Sequence, residues 1–493
     1  MTKKGRGLTP RPFLLIGEFV LRIGFFGIVL TFSSYAIASY RTMKSSFYNL
    51  LFPGEDAVRV FNTHRGTLCD VPVEVATMLR QEGIPEIDPE ISDALAALGM
   101  LVDDDADEVA EYLGRYEASK NRSGALSVIL FMATSCNLGC PYCYQSAPSK
   151  PGNVIRKEAL DRFVSWVKWE IDNNAITSLE LKFYGGEPLL ARLLMPAFIA
   201  SLNRVCSEGG IPVVYDIVTN ATLFDEPLIR LFVENSIRMQ ITLDGSGETH
   251  DKRRAWKGTG KGSFDEIFAN LEQIASLGGA HLVNLRMNVD QENITEVGEL
   301  AGRARALGIG TFTCGRIHFR EKQTEYQDKT VSSQSFEDTF DLEIFRILAP
   351  LGYSDSPSNL ESRDTCLYHW KRGFAVSPAL DLFKCDELID HPEFRVGSIS
   401  ENGVPVMNEI EYEKAVSRKP TDFESCTSCR YLPQCGSGCS IRALNAKGTP
   451  HVNFCEATYE SVRRKVNSYA IAAAEGLIPE DSSSKCGSCH CGT

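Results

Sequence analysis

Three cysteines in the stretch Cys136-Asn-Leu-Gly-Cys140-Pro-Tyr-Cys143 constrain this chain more than any other feature. Thiolates at this spacing can converge on one compact centre, and they select iron–sulfur clusters, zinc or copper(I). A structural zinc site takes four protein ligands, and no fourth Cys or His lies nearby in the sequence. A cubane cluster held by three thiolates leaves one iron open for a substrate or cofactor. The spacing therefore favours an iron–sulfur cluster over zinc, a disulfide or three buried thiols.

Composition narrows the class of protein further. The chain has 493 residues, which is long for one domain and suggests two or three. A formal net charge of −13, without a basic stripe, argues against a general nucleic-acid-binding protein. The sixteen cysteines stand mostly in tight groups rather than spread as a disulfide framework. This pattern favours metal ligation in a reducing compartment, so we expect a cytoplasmic protein.

Residues 1–42 are expected to be an apolar N-terminal extension. Basic residues precede a run from Ile23 to Ser39 that carries no charge and is slightly short for a spanning helix. Three interpretations stay open: a membrane anchor with residues 13–40 in contact with the bilayer, an extension without a role, and an exported signal peptide. Export conflicts with cluster chemistry, which needs cytosolic reductants.

Residues 43–124 are expected to form a small α+β domain. The pattern predicts strands at Ala57–Phe61 and Thr67–Val71, then helices at Glu74–Glu82, Pro89–Leu98 and Glu108–Lys120. Cys69 falls in a strand pattern and is expected in the core. A strand pair with helices suits a peptide-docking module, although such a fold can also be merely structural.

From residue 125 to residue 320 strands and amphipathic helices alternate. The predicted strands are Ser127–Ala133, Ser178–Tyr184, Val213–Thr219, Ile237–Leu243, His281–Val289 and Ile309–His318. This alternation predicts an α/β fold, a partial (β/α)6 TIM-type barrel, with its chemistry at the carboxyl ends of the strands. Polar residues do fall there: the cysteine loop, Gly185-Gly186-Glu187, Asn220, Asp244, Asn288, Arg316 and His318. Each is weak alone, because Gly-Gly or Asp-Gly is often only a turn, but together they predict a pocket.

The cysteine loop, with Tyr142 before its last cysteine, opens this barrel and is followed by Gly185-Gly186-Glu187. In this combination residues 125–320 resemble the radical S-adenosylmethionine (SAM) enzymes. The resemblance implies a [4Fe–4S] cluster on Cys136, Cys140 and Cys143, with S-adenosylmethionine on its open iron. It further implies that Gly185, Gly186 and Glu187 receive the methionine ammonium. The other residues predicted to bind the cofactor are Tyr142, Asn220, Asp244, Asn288 and Arg316.

Another stretch, from His250 through Arg253 and Arg254 to Phe264, resembles the branch of this family that modifies peptides and proteins. Its arginines either hold a carboxylate of cofactor or substrate, or form a plain surface ion-pair cluster. Cys314, on the last strand, is expected in the core, with a ligand role as the alternative.

After a linker at residues 321–362, a loop-rich, cysteine-ligated domain is expected at residues 363–478. Its cysteines are Cys366, Cys385, Cys426, Cys429, Cys435, Cys439 and Cys455. The central four permit a zinc-ribbon interpretation. Downstream of a radical cluster loop, however, the whole order resembles the SPASM domain, which implies two auxiliary [4Fe–4S] clusters. By this resemblance Cys426, Cys429, Cys435 and Cys455 hold the distal cluster, and Cys366, Cys385 and Cys439 hold the proximal one, whose fourth ligand is not identified.

The chain ends in a Cys-rich tail, residues 479–493, which has no assigned role.

Two positions near Cys385 differ from the surrounding pattern or match a known functional position. The SPASM pattern has glycine where this chain has Leu380, which puts the local turn in doubt. Asp386 matches the position of a general base in enzymes that convert a sulfatase Cys or Ser into formylglycine, where it would accept a proton. The alternative is a helix-capping or turn aspartate.

The resemblance implies a peptide maturase. Reductive cleavage of S-adenosylmethionine would give a 5′-deoxyadenosyl radical that abstracts hydrogen from a residue of a ribosomally made precursor peptide, installing a thioether or C–C cross-link. The main alternative is an anaerobic sulfatase-maturating enzyme; small-molecule dehydrogenation and a non-enzymatic iron–sulfur or zinc scaffold come after it. The expected partners are the peptide or protein substrate and a cytosolic electron donor such as flavodoxin or ferredoxin.

Overall fold

The computed structural model describes residues 14–16, 19–23, 42–54, 56–81, 88–143, 145, 153–317, 334–353, 360, 362, 365–455 and 459–477. The Cys-rich tail, His318 and most of the predicted extension lie outside these residues. Leu14–Ile16 and Phe19–Ile23 are strands. Both lie within residues 13–40, the stretch that was considered for membrane contact.

The N-terminal unit is an antiparallel sheet with helices packed against it. Its strands are β1 (Leu14–Ile16), β2 (Phe19–Ile23), β3 (Met43–Ser45), β4 (Asn49–Pro53), β5 (Val58–Asn62), β6 (Thr67–Val71) and β7 (Leu101–Asp103), and its helices are α1 (Val73–Met78), α2 (Pro89–Ala97) and α3 (Glu108–Ser119). In the described chain one sheet has the order β1-β2-β6-β5-β4, and β3 pairs with β7. The predicted strand pair, three helices and buried Cys69 are confirmed. The first helix is shorter than predicted, ending at Met78, and strands β1, β2, β3, β4 and β7 were not predicted.

Helices α2 and α3 begin where their sequences provide a cap. Asp88 accepts a hydrogen bond from the backbone N–H of Glu90, and Pro89 occupies the first helical position. Asp107, in the acidic run before α3, accepts from the N–H of Ala110 at 2.9 Å.

The barrel contains the predicted strands in their predicted order. They are β8 (Leu126–Ala133), β9 (Leu179–Gly185), β10 (Val213–Thr219), β11 (Arg238–Thr242), β12 (Val283–Val289) and β13 (Thr311–Arg316), and each pairs in parallel with the next. The intervening helices are α4 (Lys157–Asn174), α5 (Met195–Glu208), α6 (Glu226–Glu234), α7 (Gly247–Arg253), α8 (Phe264–Ser276) and α9 (Val297–Ala306). Helix α7 was not predicted. The expected partial (β/α)6 barrel is confirmed, and its apolar core includes Cys206 and the partly buried Cys314.

The barrel sheet continues into the C-terminal part of the chain. Strand β14 (Gly373–Val376) pairs in parallel with β8, and β15 (Asp381–Phe383), β16 (Gly397–Ile399) and β17 (Pro405–Met407) follow as antiparallel neighbours. Among the described strands this gives one sheet of ten, ordered β13-β12-β11-β10-β9-β8-β14-β15-β16-β17. Strand β8, which leads into the cysteine loop, is thus next to β14, and β15 on the other side of β14 leads to Cys385.

The C-terminal helices connect this sheet to the N-terminal unit. They are α10 (Gln334–Leu348), α11 (Glu409–Ser417), α12 (Glu424–Thr427), α13 (Leu432–Cys435), α14 (Ser440–Lys447) and α15 (Tyr459–Ala474). Helix α10 lies within the predicted linker and packs on α15 through Phe345. Helix α15 in turn places Val462 and Val466 against the apolar face of β4 and β5.

One helical stretch in the described chain, Pro188–Glu208, is long and apolar enough to cross a membrane by length and composition. Several of its apolar residues, including Met195, Phe198 and Leu202, are buried in the barrel core, whereas Leu193 is exposed. A core helix passes the same test, so this stretch is weak evidence for a membrane span.

Ala175 provides a test of the backbone at the end of α4. It is exposed and caps the helix in the left-handed region, with φ 46°, where glycine is favoured because it lacks Cβ. We expect Ala175→Gly to stabilise the protein by about 0.5–1 kcal/mol. The matched control is Ala269→Gly at an exposed position within α8, which should destabilise it by about 1 kcal/mol. Thermal unfolding followed by circular dichroism measures both, and equal changes would contradict the assignment.

Candidate active site

The cysteine loop leaves β8 and is held by a second loop. The N–H of Gly139 donates to the Ala255 carbonyl at 2.8 Å, and the N–H of Lys257 donates to the Asn137 carbonyl at 2.9 Å. These bonds fix both ends of the segment that presents Cys136 and Cys140.

Cys140 is buried, Cys136 and Cys143 are half-buried, and the three thiols are close enough to affect one another. Burial raises the pKa of Cys140 to about 12, the Arg254 guanidinium lowers it, and the neighbouring thiols of Cys143 and Cys136 raise it further. Burial also raises the pKa of Cys136. Because an ionised thiolate here is costly, it needs a strongly positive partner, and cluster iron is such a partner.

Two glycines allow the end of β9 to cross the start of the cysteine loop. A Cβ on Gly185, where φ is 130°, would lie 1.9 Å from the Ala133 carbonyl oxygen, and one on Gly186 would lie 2.2 Å from the Ser135 carbonyl oxygen. The N–H of Gly186 donates to the same Ala133 oxygen at 2.9 Å. No side chain fits at either position, so both glycines are required by the packing of the protein itself.

Glu187 joins the ends of β9 and β10. Its carboxylate is fully buried and accepts hydrogen bonds from Thr219 Oγ1 at 2.6 Å, from the Asn220 N–H at 2.8 Å and from the Leu189 N–H at 2.9 Å. Burial raises the pKa of this carboxyl, and the three donors oppose that rise. These bonds give Glu187 a structural role; contact with a methionine ammonium stays a prediction.

The turn after β10 reaches the cysteine loop. The Asn220 amide donates to Asn137 Oδ1 at 2.8 Å and lies 3.7 Å from Cys136 Sγ. Asn137 in turn donates to Thr222 Oγ1 at 2.7 Å. Asn220 therefore lies beside the predicted cluster ligand, as expected for a residue on this rim.

A buried network joins the last part of the loop to β11 and β12. The Asp244 carboxylate accepts hydrogen bonds from the Tyr142 hydroxyl and from the Asn288 N–H, the latter at 3.0 Å. Arg254 Nη1 donates to the Tyr142 hydroxyl oxygen at 2.9 Å and lies 4.0 Å from Asp244. Burial raises the pKa of Tyr142 well above its ordinary value, although Arg254 lowers it. Three predicted cofactor residues thus meet around one guanidinium.

The surface interpretation of the two arginines is wrong. Arg253 and Arg254 are only 5% and 8% exposed. Arg253 pairs with the buried carboxylate of Asp290 at 2.8 Å. Both guanidiniums are therefore part of the rim interior, because residues 250–254 fold back against the strand ends as α7.

His250 is a site residue that sequence reasoning did not assign. It is fully buried; its Nδ1 accepts from the Asp244 N–H at 3.1 Å, and its Nε2 lies 3.0 Å from Ser263 Oγ. Burial, together with Arg254, lowers its pKa well below the ordinary value, so the imidazole is neutral and positions Asp244. The sequence signal that could have identified His250 was its position at the start of the His250–Phe264 stretch, which resembles the peptide- and protein-modifying branch of the family.

Arg316 ends β13, opposite Val289 on β12. Its guanidinium lies 5.6 Å from the centre of the Phe340 ring on α10. His318, its predicted neighbour, lies outside the described residues.

The C-terminal cysteines approach one another in the two predicted sets. Burial raises the pKa of Cys429, and the nearby thiols of Cys426 and Cys455 add to the rise. Cys435 Sγ lies 3.9 Å from the carbonyl of Phe454, next to Cys455. These contacts bring together residues of the predicted distal set.

The proximal set shows the same proximity. Burial raises the pKa of Cys385 well above its ordinary value, and Cys366 is among the neighbours that add to the rise. Cys439 packs in the same apolar cluster as Cys385. In the described residues no three Cys, His, Asp or Glu side chains lie close enough to hold a single metal ion.

Unpartnered buried polar atoms lie next to both cysteine groups. Within the described residues, the buried atoms without a hydrogen-bond partner include Arg254 Nε near the cysteine loop and, near the C-terminal cysteines, Tyr116 OH of α3, Arg418 Nε, Ser437 Oγ and Ser440 Oγ. Ser437 lies between Cys435 and Cys439, and Ser440 follows Cys439. Because native proteins satisfy nearly all buried polar groups, these donors fit clusters whose sulfur atoms accept hydrogen bonds.

The comparison with known protein families agrees with this geometry. The model of the radical SAM superfamily matches residues 130–304. The chain contains a radical SAM domain. Enzymes of this superfamily use a 4Fe–4S cluster and S-adenosylmethionine, so the predicted enzyme class and barrel cofactors are confirmed.

Three known proteins show how far the similarity extends. A cysteine-type anaerobic sulfatase-maturating enzyme of Clostridium novyi is 30% identical over 154 residues, which cover 30% of this chain and 40% of that enzyme. The antilisterial bacteriocin subtilosin biosynthesis protein AlbA of Bacillus subtilis is 23% identical over 65% of this chain and 68% of that protein. Native anSMEcpe with bound AdoMet and Kp18Cys peptide has the same fold, with TM-score 0.54 and 18% identity over 72% of this chain and 99% of that chain.

Beyond the radical SAM domain, the turn before Cys385 forms despite its leucine. Leu380 adopts φ 68° while fully buried, and its N–H donates to the Ser377 carbonyl at 2.8 Å. The side chain is retained in the core at the expense of backbone strain.

Asp386 lies directly beside Cys385. Its Oδ1 is 3.5 Å from Cys385 Sγ. Asp386 begins the 3-10 turn Asp386–Leu388, and Cys385 occupies the position before it, which agrees with the alternative interpretation of Asp386 as a turn aspartate. A role as general base stays a prediction.

Gly186 tests the crossing on which the radical SAM site depends. We expect Gly186→Ala to destabilise the protein by about 2–3 kcal/mol, because its Cβ would collide with a backbone carbonyl, and to reduce the iron bound by the cysteine loop. The control is Gly302→Ala in α9, where no atom lies within 4 Å of the new Cβ, and this change should stabilise the helix by about 1 kcal/mol. Thermal unfolding and iron analysis measure both; a Gly186→Ala protein with unchanged stability and iron would contradict the account.

Proposed function

We propose that this protein is a radical SAM peptide maturase that abstracts hydrogen from a residue of a ribosomally made precursor peptide and installs a thioether or C–C cross-link. The observation that carries this proposal is the position of the N-terminal unit. Helix α3 places Tyr112 and Tyr116 against Cys426 and Cys429. A docking unit in this position would deliver a peptide next to the C-terminal cysteines.

The contact between the two parts includes specific hydrogen bonds. Thr63 Oγ1 donates to the Arg430 carbonyl at 2.6 Å, and Gln434 Nε2 donates to the Thr63 carbonyl at 3.1 Å. Arg430 Nη1 donates to the Asn49 carbonyl at 3.3 Å. The unit is therefore attached to the predicted distal cluster loop, between Cys429 and Cys435. Similarity to the subtilosin biosynthesis protein over 65% of the chain also supports a peptide substrate.

Each predicted group has a proposed part in the reaction. Cys136, Cys140 and Cys143 would hold the radical cluster, and Glu187, Asn220, Asp244 and Asn288 would shape the pocket for S-adenosylmethionine. When bound, this pair supplies the radical that removes a hydrogen atom from the substrate. The seven C-terminal cysteines would hold two auxiliary clusters. We place the enzyme in the cytoplasm with a flavodoxin- or ferredoxin-type donor, since the cluster needs a reductant; membrane contact through residues 13–40 stays open.

A second candidate is a sulfatase-maturating enzyme that oxidises a Cys or Ser to formylglycine. It is favoured by the Asp386 carboxylate at 3.5 Å from Cys385 Sγ and by the 30% identity to the clostridial sulfatase-maturating enzyme. There Asp386 would accept the proton released as the substrate is oxidised.

Mass spectrometry after anaerobic turnover separates the two candidates. The reconstituted full chain is incubated with S-adenosylmethionine, a reductant, and either a Cys-containing precursor peptide with its leader or a sulfatase-derived Cys peptide. We expect loss of a pair of hydrogen atoms and a cross-linked fragment from the precursor peptide. Formylglycine in the sulfatase peptide, with no change in the precursor, would overturn the maturase proposal.

Asp386→Asn adds a test of the second candidate. If Asp386 is the general base, its loss should lower formylglycine formation by about 10²–10⁴-fold. Glu387→Gln is the matched control at the next residue and should retain the rate. Equal rates in both variants would contradict a role for Asp386.

A further inference from the structure

A chain of hydrogen bonds leads from the buried Arg418 through the buried His369 to the exposed Cys366, one of the predicted proximal ligands. Arg418 Nη1 lies 3.3 Å from His369 Nε2, and His369 Nδ1 lies 3.6 Å from Cys366 Sγ. His369 is 4% exposed and Arg418 is 3% exposed. Neither residue was assigned a role from the sequence, because they are 49 positions apart and neither belongs to a cysteine motif.

The chemistry of arginine fixes the direction of this chain. A guanidinium has only donors, so His369 Nε2 must accept the bond from Arg418. In a neutral imidazole the proton is then on Nδ1, and Nδ1–H points to Cys366 Sγ. His369 is therefore a hydrogen-bond donor to the sulfur, and neither of its nitrogens is available as a ligand to iron.

Both residues are held rigidly in place. Arg418 Nη2 donates to the carbonyls of Ser437 and Val452, each at 3.0 Å, and these carbonyls belong to the two segments that carry Cys439 and Cys455. The imidazole lies between aromatic rings: the ring of Tyr116 is 5.9 Å away and that of Tyr368 is 5.4 Å away, centre to centre. Tyr116 comes from α3, so the N-terminal unit helps to orient His369.

We propose that Arg418 and His369 form a donor relay to the Cys366 thiolate that raises the reduction potential of the proximal auxiliary cluster. A hydrogen bond to a ligand sulfur stabilises the more negative, reduced state, and hydrogen bonds to sulfur are among the factors that set cluster potentials. The buried positive charge of Arg418 acts in the same direction. A raised potential suits a cluster that accepts an electron left on the product; this inference rests on the auxiliary-cluster part of the proposed function.

The test is a redox titration followed by EPR on the full chain carrying Cys136/Cys140/Cys143→Ala, which leaves only the auxiliary clusters. His369→Phe should lower the reduction potential of one of the two auxiliary clusters by about 59 mV. For a one-electron couple this is about a tenfold shift of the oxidised-to-reduced ratio toward the oxidised form. The other cluster should be unchanged. Arg418→Met should shift the same cluster in the same direction, and His369→Gln, which retains a donor, should restore part of the potential.

The controls separate tuning from folding and from ligation. His391→Phe changes a histidine of the same region that bonds to Glu393 and should shift neither cluster. Iron content near eight per chain in every variant shows that two cubane clusters of four irons are retained.

A loss of about four irons in His369→Phe and His369→Gln would make His369 a ligand and overturn the relay. Retained iron with unchanged potentials would also overturn it, and wild-type protein without auxiliary clusters would overturn both this inference and the cluster assignment.

Discussion

The close crossing of Gly185 and Gly186 over the carbonyls of Ala133 and Ser135 is the contact on which the candidate site depends. It fixes the distance between the end of β9 and the start of the cysteine loop, and it allows Glu187 to bond to the end of β10. Asn220 then reaches Cys136. The position of the first cysteine therefore follows from the packing of three neighbouring strand ends.

The second constraint is the positive charge of a buried arginine near each cysteine group. Hydrogen bonds and nearby polar groups contact this arginine in both places. Near the loop, Arg254 is surrounded by Tyr142 and Asp244; near the C-terminal cysteines, Arg418 bonds to His369 and to two carbonyls. A buried guanidinium is costly unless it is bonded or faces negative charge. Cysteine thiolates holding iron–sulfur clusters would supply that negative charge at both sites, which would account for the two arginines in the interior.

The continuous sheet relates the two groups in space. Strand β8 leads to the cysteine loop on one side and pairs with β14 on the other, and β15 leads to Cys385. Helix α15 brings the end of the described chain back to the N-terminal sheet. The N-terminal unit, the barrel and the cysteine-rich part thus share interfaces.

The sequence predicted the parts of the fold that have a local signal. The apolar periodicity of β8–β13 and their helices identified the barrel, and the spacing of Cys136, Cys140 and Cys143 identified its chemistry. Pairing of β14 with β8 was not predictable, because the two strands are far apart in the chain and short strands carry little periodicity. The sequence left a surface cluster open for Arg253 and Arg254 and gave no role to His250, because only the tertiary structure supplies their buried partners. Leu380 shows the reverse case, where core packing prevails over the backbone preference for glycine.

Iron and sulfide analysis of the anaerobically reconstituted full chain, beside the Cys136/Cys140/Cys143→Ala variant, tests the central claim most directly. The account predicts near twelve irons per chain, from three cubane clusters of four irons each, and a fall of about four in the variant with loss of S-adenosylmethionine cleavage. About four irons together with bound zinc would contradict the assignment of the C-terminal cysteines to auxiliary clusters.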